Sequence, residues 1–243
     1  MRYFLLILIV FLLPSVAMAQ FGDSTHYLVS YTSTGSINKA DGNSAYLLNN
    51  GLRFNVKKNS IVLNFNNNWL YGKQNEALTN NDYSTSLDFN LYKTFPNFFY
   101  WGLANYNTSY SLNINNQLLA GAGVAYNFWD APNAYLNISD GLLYDASDLT
   151  LSDGVEQRYS TIRNSFRLQF RFVIRNFIVL NGSNFFQHSL RDGEDYNIRM
   201  NNQLEFKLNQ WLSLTATSNY NRINRTQKEN LLLSYGLKFE RYF

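Results

Sequence analysis

Residues 196–208, YNIRMNNQLEFKL, decide the fold. Tyr196, Ile198, Met200, Leu204, Phe206 and Leu208 take one face, and Asn197, Arg199, Asn201, Gln203, Glu205 and Lys207 take the other. Successive side chains of a strand point to opposite faces, so a period of two is strand periodicity and not helix periodicity. Residues 60–71 repeat it, with Ile61, Leu63, Phe65, Trp69 and Tyr71 alternating against Asn64, Asn66 and Asn68. A half-buried sheet in a soluble sandwich also alternates, over strands of about five or six residues. Here the runs last ten to thirteen residues, the length a tilted strand needs to cross a bilayer.

Working outward, the same pattern recurs twelve times, at 25–36, 44–56, 60–72, 82–94, 98–111, 116–128, 134–146, 156–171, 176–189, 196–208, 210–222 and 230–243. Single-chain bacterial barrels have even strand numbers. The reading is therefore an all-β, 12-stranded antiparallel up-and-down transmembrane β-barrel. Its connections alternate in length. Short ones fall at 57–59, 94–97, 129–133, 173–175 and Asn209, with another short one near 113–115; longer polar ones fall at 37–43, 73–81, 147–155, 190–195 and 223–229. Outer-membrane barrels keep short turns on the periplasmic side and long loops outside, so both termini are expected in the periplasm. Pro96 and Pro132 fall in short turns, where a missing N–H costs no ladder bond. Aromatic residues are expected in two interfacial belts. Trp101, Phe128, Trp129, Phe172, Phe177, Trp211 and Phe243 make the periplasmic one; Trp69, Tyr71, Tyr83, Tyr106, Tyr110, Tyr144 and Tyr196 make the external one.

Composition agrees with a membrane barrel and excludes other classes. The 243 residues are 46% hydrophobic, 17% aromatic and only 15% charged, with 35 asparagines and no cysteine. Soluble domains are about a quarter charged. Without cysteine there is no disulfide framework, thiolate metal site or acyl-cysteine anchor. A net charge of +3 gives no footprint for nucleic acid. Residues 1–19 read as a signal peptide, with Arg2, an apolar run over 4–13, Pro14 and the small-x-small site Ala17-Met18-Ala19. The apolar run is too short to span roughly 30 Å of hydrocarbon. Residues 20–243 are then the barrel domain. At its end, Phe243 closes the alternation of Leu231, Leu233, Tyr235, Leu237 and Phe239, with Arg241 interrupting it.

An embedded lipase would need a histidine beside a nucleophilic serine on the same face. Ser24 and His26 have that spacing but lie at the mature terminus; His188 and Ser189 point to opposite faces. Both histidines read better as ordinary polar residues, and no catalytic, metal or cofactor site is expected. Asp192, Glu194 and Asp195 suit a solvated loop better than a divalent-ion site.

The inward face is more informative. On the eighth strand Arg163, Arg167 and Arg171, spaced by four, share one face and form a basic ladder. Arg53, Lys57, Arg199, Lys207 and Lys238 are expected inside by the same alternation, against the acids Asp88, Asp145, Glu205 and Glu240. That excess favours anions if solutes pass. Asp140 and Asn164 would face lipid by strict alternation; a bulge at 140–141 would turn the carboxylate inward. Nothing in the sequence accounts for Asn164.

Several segments resemble a known barrel family, DUF481, in its Bacteroidetes-like form. They are Tyr71-Gly72-Lys73-Gln74-Asn75 with 79–82, Ser111-Leu112-Asn113-Ile114-Asn115-Asn116-Gln117, Gly121-Ala122-Gly123-Val124-Ala125-Tyr126, Asp140-Gly141-Leu142-Leu143-Tyr144, Arg163-Asn164-Ser165-Phe166-Arg167 and Tyr235-Gly236-Leu237-Lys238-Phe239. The resemblance implies an outer-membrane barrel, sometimes described as salt-induced, and brings no activity or catalytic residues. A terminal Phe243 resembles the signal by which barrel-assembly machinery recognises its clients. Three readings follow: a narrow, anion-preferring diffusion channel in the outer membrane passing a small anionic solute; a structural or accessory barrel with a filled lumen in an envelope complex; and, last, a lipid hydrolase.

Overall fold

The computed structural model describes residues 27–40, 43–58, 60–95 and 97–242. The signal segment 1–19, Ser24, His26, Pro96 and Phe243 lie outside the described residues. Twelve strands follow one another: β1 (Tyr27–Ala40), β2 (Asn43–Lys58), β3 (Ile61–Gln74), β4 (Ala77–Phe95), β5 (Phe98–Ser109), β6 (Ile114–Ala131), β7 (Ala134–Thr150), β8 (Glu156–Ile174), β9 (Ile178–Ser189), β10 (Tyr196–Lys207), β11 (Leu212–Ile223) and β12 (Lys228–Tyr242). Each pairs antiparallel with its sequence neighbours, and β1 pairs β12 with Ser30 opposite Glu240 and Thr34 opposite Gly236. The sheet thus closes as a barrel, which leaves no open edge and satisfies the backbone without water.

Burial is inverted relative to a soluble protein. On β12, Leu233 and Tyr235 point outward at 68% and 71% exposure, whereas Ser234 between them and Lys238 further on are buried. The most enclosed side chains include Arg163, Gln117, Glu205, Asn127 and Asn137. Alternating sequence dictates this: closing the sheet sends one residue in two inside, and those are the polar ones.

Two of the expected long loops are strand. β1 runs on until Ala40 faces Asn43, and β3 until Gln74 faces Ala77. The polar residues of 37–40, 73–74 and 77–81 therefore extend hairpins instead of forming loops. Asn75 and Glu76 close the second one with φ of 48° and 67°, the positive pair that two-residue hairpins require. Asn97, Asn113 and Asn176 also take positive φ. Asparagine tolerates that region because its short amide bonds locally, so part of the asparagine excess belongs to turns.

Trp101, expected in an interfacial belt, points inward and is buried against Phe99, Ala125 and Leu143. Gly123 faces Gly141 across β6 and β7, and a Cβ on Gly141 would come within 2.5 Å of the Trp101 ring. The glycine pair makes the room that turns this indole inside. Its Nε1 donates to the Val124 carbonyl at 3.1 Å. Nor does a bulge occur at Asp140: Ser139 opposite Arg167 and Leu142 opposite Asn164 hold one register. Asp140 stays outside.

Candidate functional site

The pairing register builds the lumen in rows. Ser139, Arg167, Phe185, Arg199 and Asn221 are successive partners on β7 to β11. Ser30, Arg53, Asn66, Ser86 and Asn105 form a row on β1 to β5. Tyr135, Arg171, Asn181 and Gln203 form a third on β7 to β10, and Ser213 stands between Lys207 and Lys238.

Two inward cations, Arg163 and Lys238, are matched by carboxylates. Arg163 Nε meets Asp145 Oδ2 at 2.5 Å and its Nη2 meets Asp195 Oδ1 at 2.9 Å, all enclosed. It also donates to the Asp195 carbonyl at 3.0 Å and the Tyr159 hydroxyl at 2.9 Å. Arg225, from the β11–β12 connection, pairs Asp195 at 2.6 Å and lies 4.1 Å over the Tyr159 ring. Lys238 lies between Glu205 at 2.9 Å and Glu240 at 2.6 Å. Asp195, expected in a solvated loop, is instead buried between two guanidinium groups. The basic ladder on β8 is thereby divided, because Arg163 is neutralised and Arg167 and Arg171 are not.

Four arginines reach a cavity of about 720 Å³ without a carboxylate partner: Arg53, Arg167, Arg171 and Arg199. Arg53 and Arg171 make no hydrogen bond or ion pair among the described residues. Arg167 donates to Ser139 Oγ at 3.0 Å and stacks 5.7 Å from both Trp101 and Phe185. Arg199 donates to Gln117 Oε1 at 2.6 Å and Asn105 Oδ1 at 3.4 Å. The cavity's carboxylates are Asp82 and Asp88. Asp82 accepts from the Ser109 and Ser111 hydroxyls at 2.8 and 2.7 Å. Asp88 accepts from Asn64 Nδ2 at 2.7 Å, and Asn64 in turn accepts from Asn55 at the same distance. Arg167, Arg171 and Arg199 thus stand on the β8–β10 side, while Arg53 stands among the carboxamides of β2 to β5. Lys207 is on an inward row but does not line this cavity.

The end away from the chain termini carries an apolar cover. Leu112, in the β5–β6 connection, packs with Ile114, Leu149 and Ile223, and Tyr159 lies against them. Asn230 Nδ2 on β12 donates to Ser111 Oγ at 3.0 Å, tying that connection to the far wall. Beyond Tyr144, near the tip of β7, Asp148 accepts from Asn115 at 3.1 Å and Arg158 at 2.8 Å. The Asn115 amide first and Arg158 second hold its carboxyl below the usual carboxylate range. Alternation could not reveal these groupings, since Asp195 and Arg225 come from connections and Leu112 from a turn.

Across residues 36–237 the sequence matches a family described as a protein of unknown function, DUF481. The chain belongs to the DUF481 family. No curated protein matches it. Among solved structures, this DUF481 barrel is similar to the NanC porin, at 9% identity and a TM-score of 0.53, over 89% of this chain and 99% of that one. It is also similar to an outer membrane channel from Pseudomonas putida F1, at 12% identity and a TM-score of 0.52, over 96% of this chain and all of that one (100%). At such identities the likeness is one of fold: the DUF481 chain has the closed barrel of outer-membrane, porin-like proteins.

Proposed function

We propose that this barrel is exported through residues 1–19 to the bacterial outer membrane, with both termini in the periplasm, and acts there as a narrow anion-preferring diffusion channel. The charge imbalance of the cavity carries the reading: four guanidinium groups without carboxylate partners face two carboxylates already engaged by hydroxyls and an amide. Low-dielectric walls focus such an excess and favour small anionic solutes. Phe243 would present the last strand to barrel-assembly machinery, and outer-membrane lipid would cover the apolar surface. Recording from the purified protein in a planar bilayer under a salt gradient tests the channel. A reversal potential set by anion flux is expected; one set by cations overturns the preference. Replacing Arg53 and Arg171 together by Gln should lower the anion preference without changing the fold.

One observation favours the structural reading. The β6–β8 sector is filled by Gln117, Asn127, Asn137, Asp145 and Arg163, all enclosed. A barrel filled throughout would show no unitary conductance and would purify in mild detergent with stoichiometric companions.

A further inference from the structure

Of the four cavity arginines, Arg199 reaches across the barrel. Its acceptors, Gln117 on β6 and Asn105 on β5, lie four and five strands from β10 in the closed ring. These bonds are chords over the lumen, not contacts between ladder neighbours. With its amide turned over, Asn107 adds a third acceptor, its oxygen 3.3 Å from both Arg199 terminal nitrogens. Every acceptor is a neutral carboxamide, so no carboxylate bonds the guanidinium directly.

Gln117 is anchored from behind. Its Nε2 donates to both Asp145 oxygens at 3.3 and 3.4 Å, Asp145 pairs Arg163, and Arg163 pairs Asp195 in the β9–β10 connection. The acceptor is therefore tied through Asp145 to the buried ion pairs of the loop end, while Arg199 is held to it by hydrogen bonds to uncharged acceptors. A carboxylate or phosphate offers a guanidinium a bidentate pair and a full opposite charge, neither of which a single carboxamide oxygen supplies. Arg199 can exchange partners while Gln117 stays tied to Asp145.

We propose that Arg199 is the selectivity latch of this lumen. Tied to Gln117 and Asn105 it bars the passage between the β10 wall and the β5–β6 wall, and a solute bearing a carboxylate or phosphate releases it by taking their place. This rests on the channel reading above.

The test compares wild type with Arg199→Ala and Arg199→Lys in planar bilayers, using succinate as the probe anion and the gel-mobility shift on heating as the check of folding. Arg199→Ala should raise unitary conductance, abolish succinate-dependent blocking events, and lower the anion-over-cation permeability ratio by at least roughly fivefold, the effect on a monovalent anion alone of a unit charge about 4 Å away in a water-like dielectric. Arg199→Lys should keep the sign of selectivity and shorten the blocking events, because an ammonium lacks the planar fork. Wild-type conductance, permeability and blocking in folded Arg199→Ala overturn the latch. A silent wild type with a conducting Arg199→Ala supports the latch and overturns free diffusion; silence in both overturns the latch. Cation preference in wild type defeats the anion preference proposed above, and the conductance change alone then decides the latch. Should Arg199→Ala not fold, Gln117→Met removes the main acceptor instead: higher conductance with anion preference retained supports the latch, and unchanged conductance overturns it.

Discussion

Asp140 projects from β7 to the outer surface, where the Asn164 amide nitrogen on β8 donates to both carboxylate oxygens at 3.0 and 3.2 Å. The sequence put both residues on that face but gave no reason for them; they meet only because the β7–β8 register brings together side chains 24 apart. His188 stands directly opposite Asn164 on β9, its Nδ1 enclosed and without a partner. Against lipid, each polar group here depends on its neighbour. Asn164→Leu should destabilise the barrel by about 1–3 kcal/mol by stripping the carboxylate of its donor. Replacing both Asp140 and Asn164 by Leu should restore or exceed wild-type stability, since removing a whole polar pair removes its desolvation cost. Denaturant unfolding in lipid vesicles reads both, and equal stability of the single and double variants would mean that the pair does nothing. Inside the barrel the same logic runs more strongly. Arg163→Met leaves Asp145 and Asp195 enclosed with one cation, Arg225, reaching only Asp195. A loss of about 3–5 kcal/mol is expected in the same assay.

At the scale of elements, period two located all twelve strands, because inside and outside differ in solvent at every residue. It misplaced ends where both faces are polar. In 37–43 and 73–81 no apolar row marks continuation, yet the strands extend through most of each segment, with pairing holding to Ala40–Asn43 and Gln74–Ala77. It also misjudged Trp101, whose inward turn depends on glycines of two other strands. Gly141→Val should drive the indole out of its pocket, because the added Cβ lies at 2.5 Å from the ring. The expected readout is a shifted tryptophan emission together with weaker anion preference, since Arg167 stacks on that ring; unchanged emission would show that the wall yields instead. At the β7–β8 tip, Asp148 has its pKa lowered by Asn115 and Arg158. A depressed acid stabilises above its unfolded pKa and loses that contribution as pH falls through the folded one. Hydrogen exchange at the tip should therefore accelerate only in strongly acidic solution, and Asn115→Ala should move that onset to higher pH.

For the molecule as a whole, orientation decides how the lumen meets its solutes. The two longest described connections, 151–155 and 190–195, lie at the end away from the termini, although 75–76 there is a two-residue turn. The apolar cover of Leu112, Ile114, Leu149 and Ile223 belongs to that same end, while Arg171 lies near the β8–β9 turn at the end bearing the termini. Periplasmic termini would thus place the cover toward the exterior and the free arginines deeper along the path, so that an entering anion passes an apolar rim before it meets Arg199. The chain has no cysteine, so single introduced thiols label without background. Asp153→Cys, in the β7–β8 connection, should react with a membrane-impermeant maleimide on intact cells. Asn176→Cys, in the β8–β9 turn, should react only after the outer membrane is permeabilised. The opposite pattern would invert the barrel and set the free arginines at the outer mouth; labelling of neither site in intact or permeabilised cells would place the protein elsewhere.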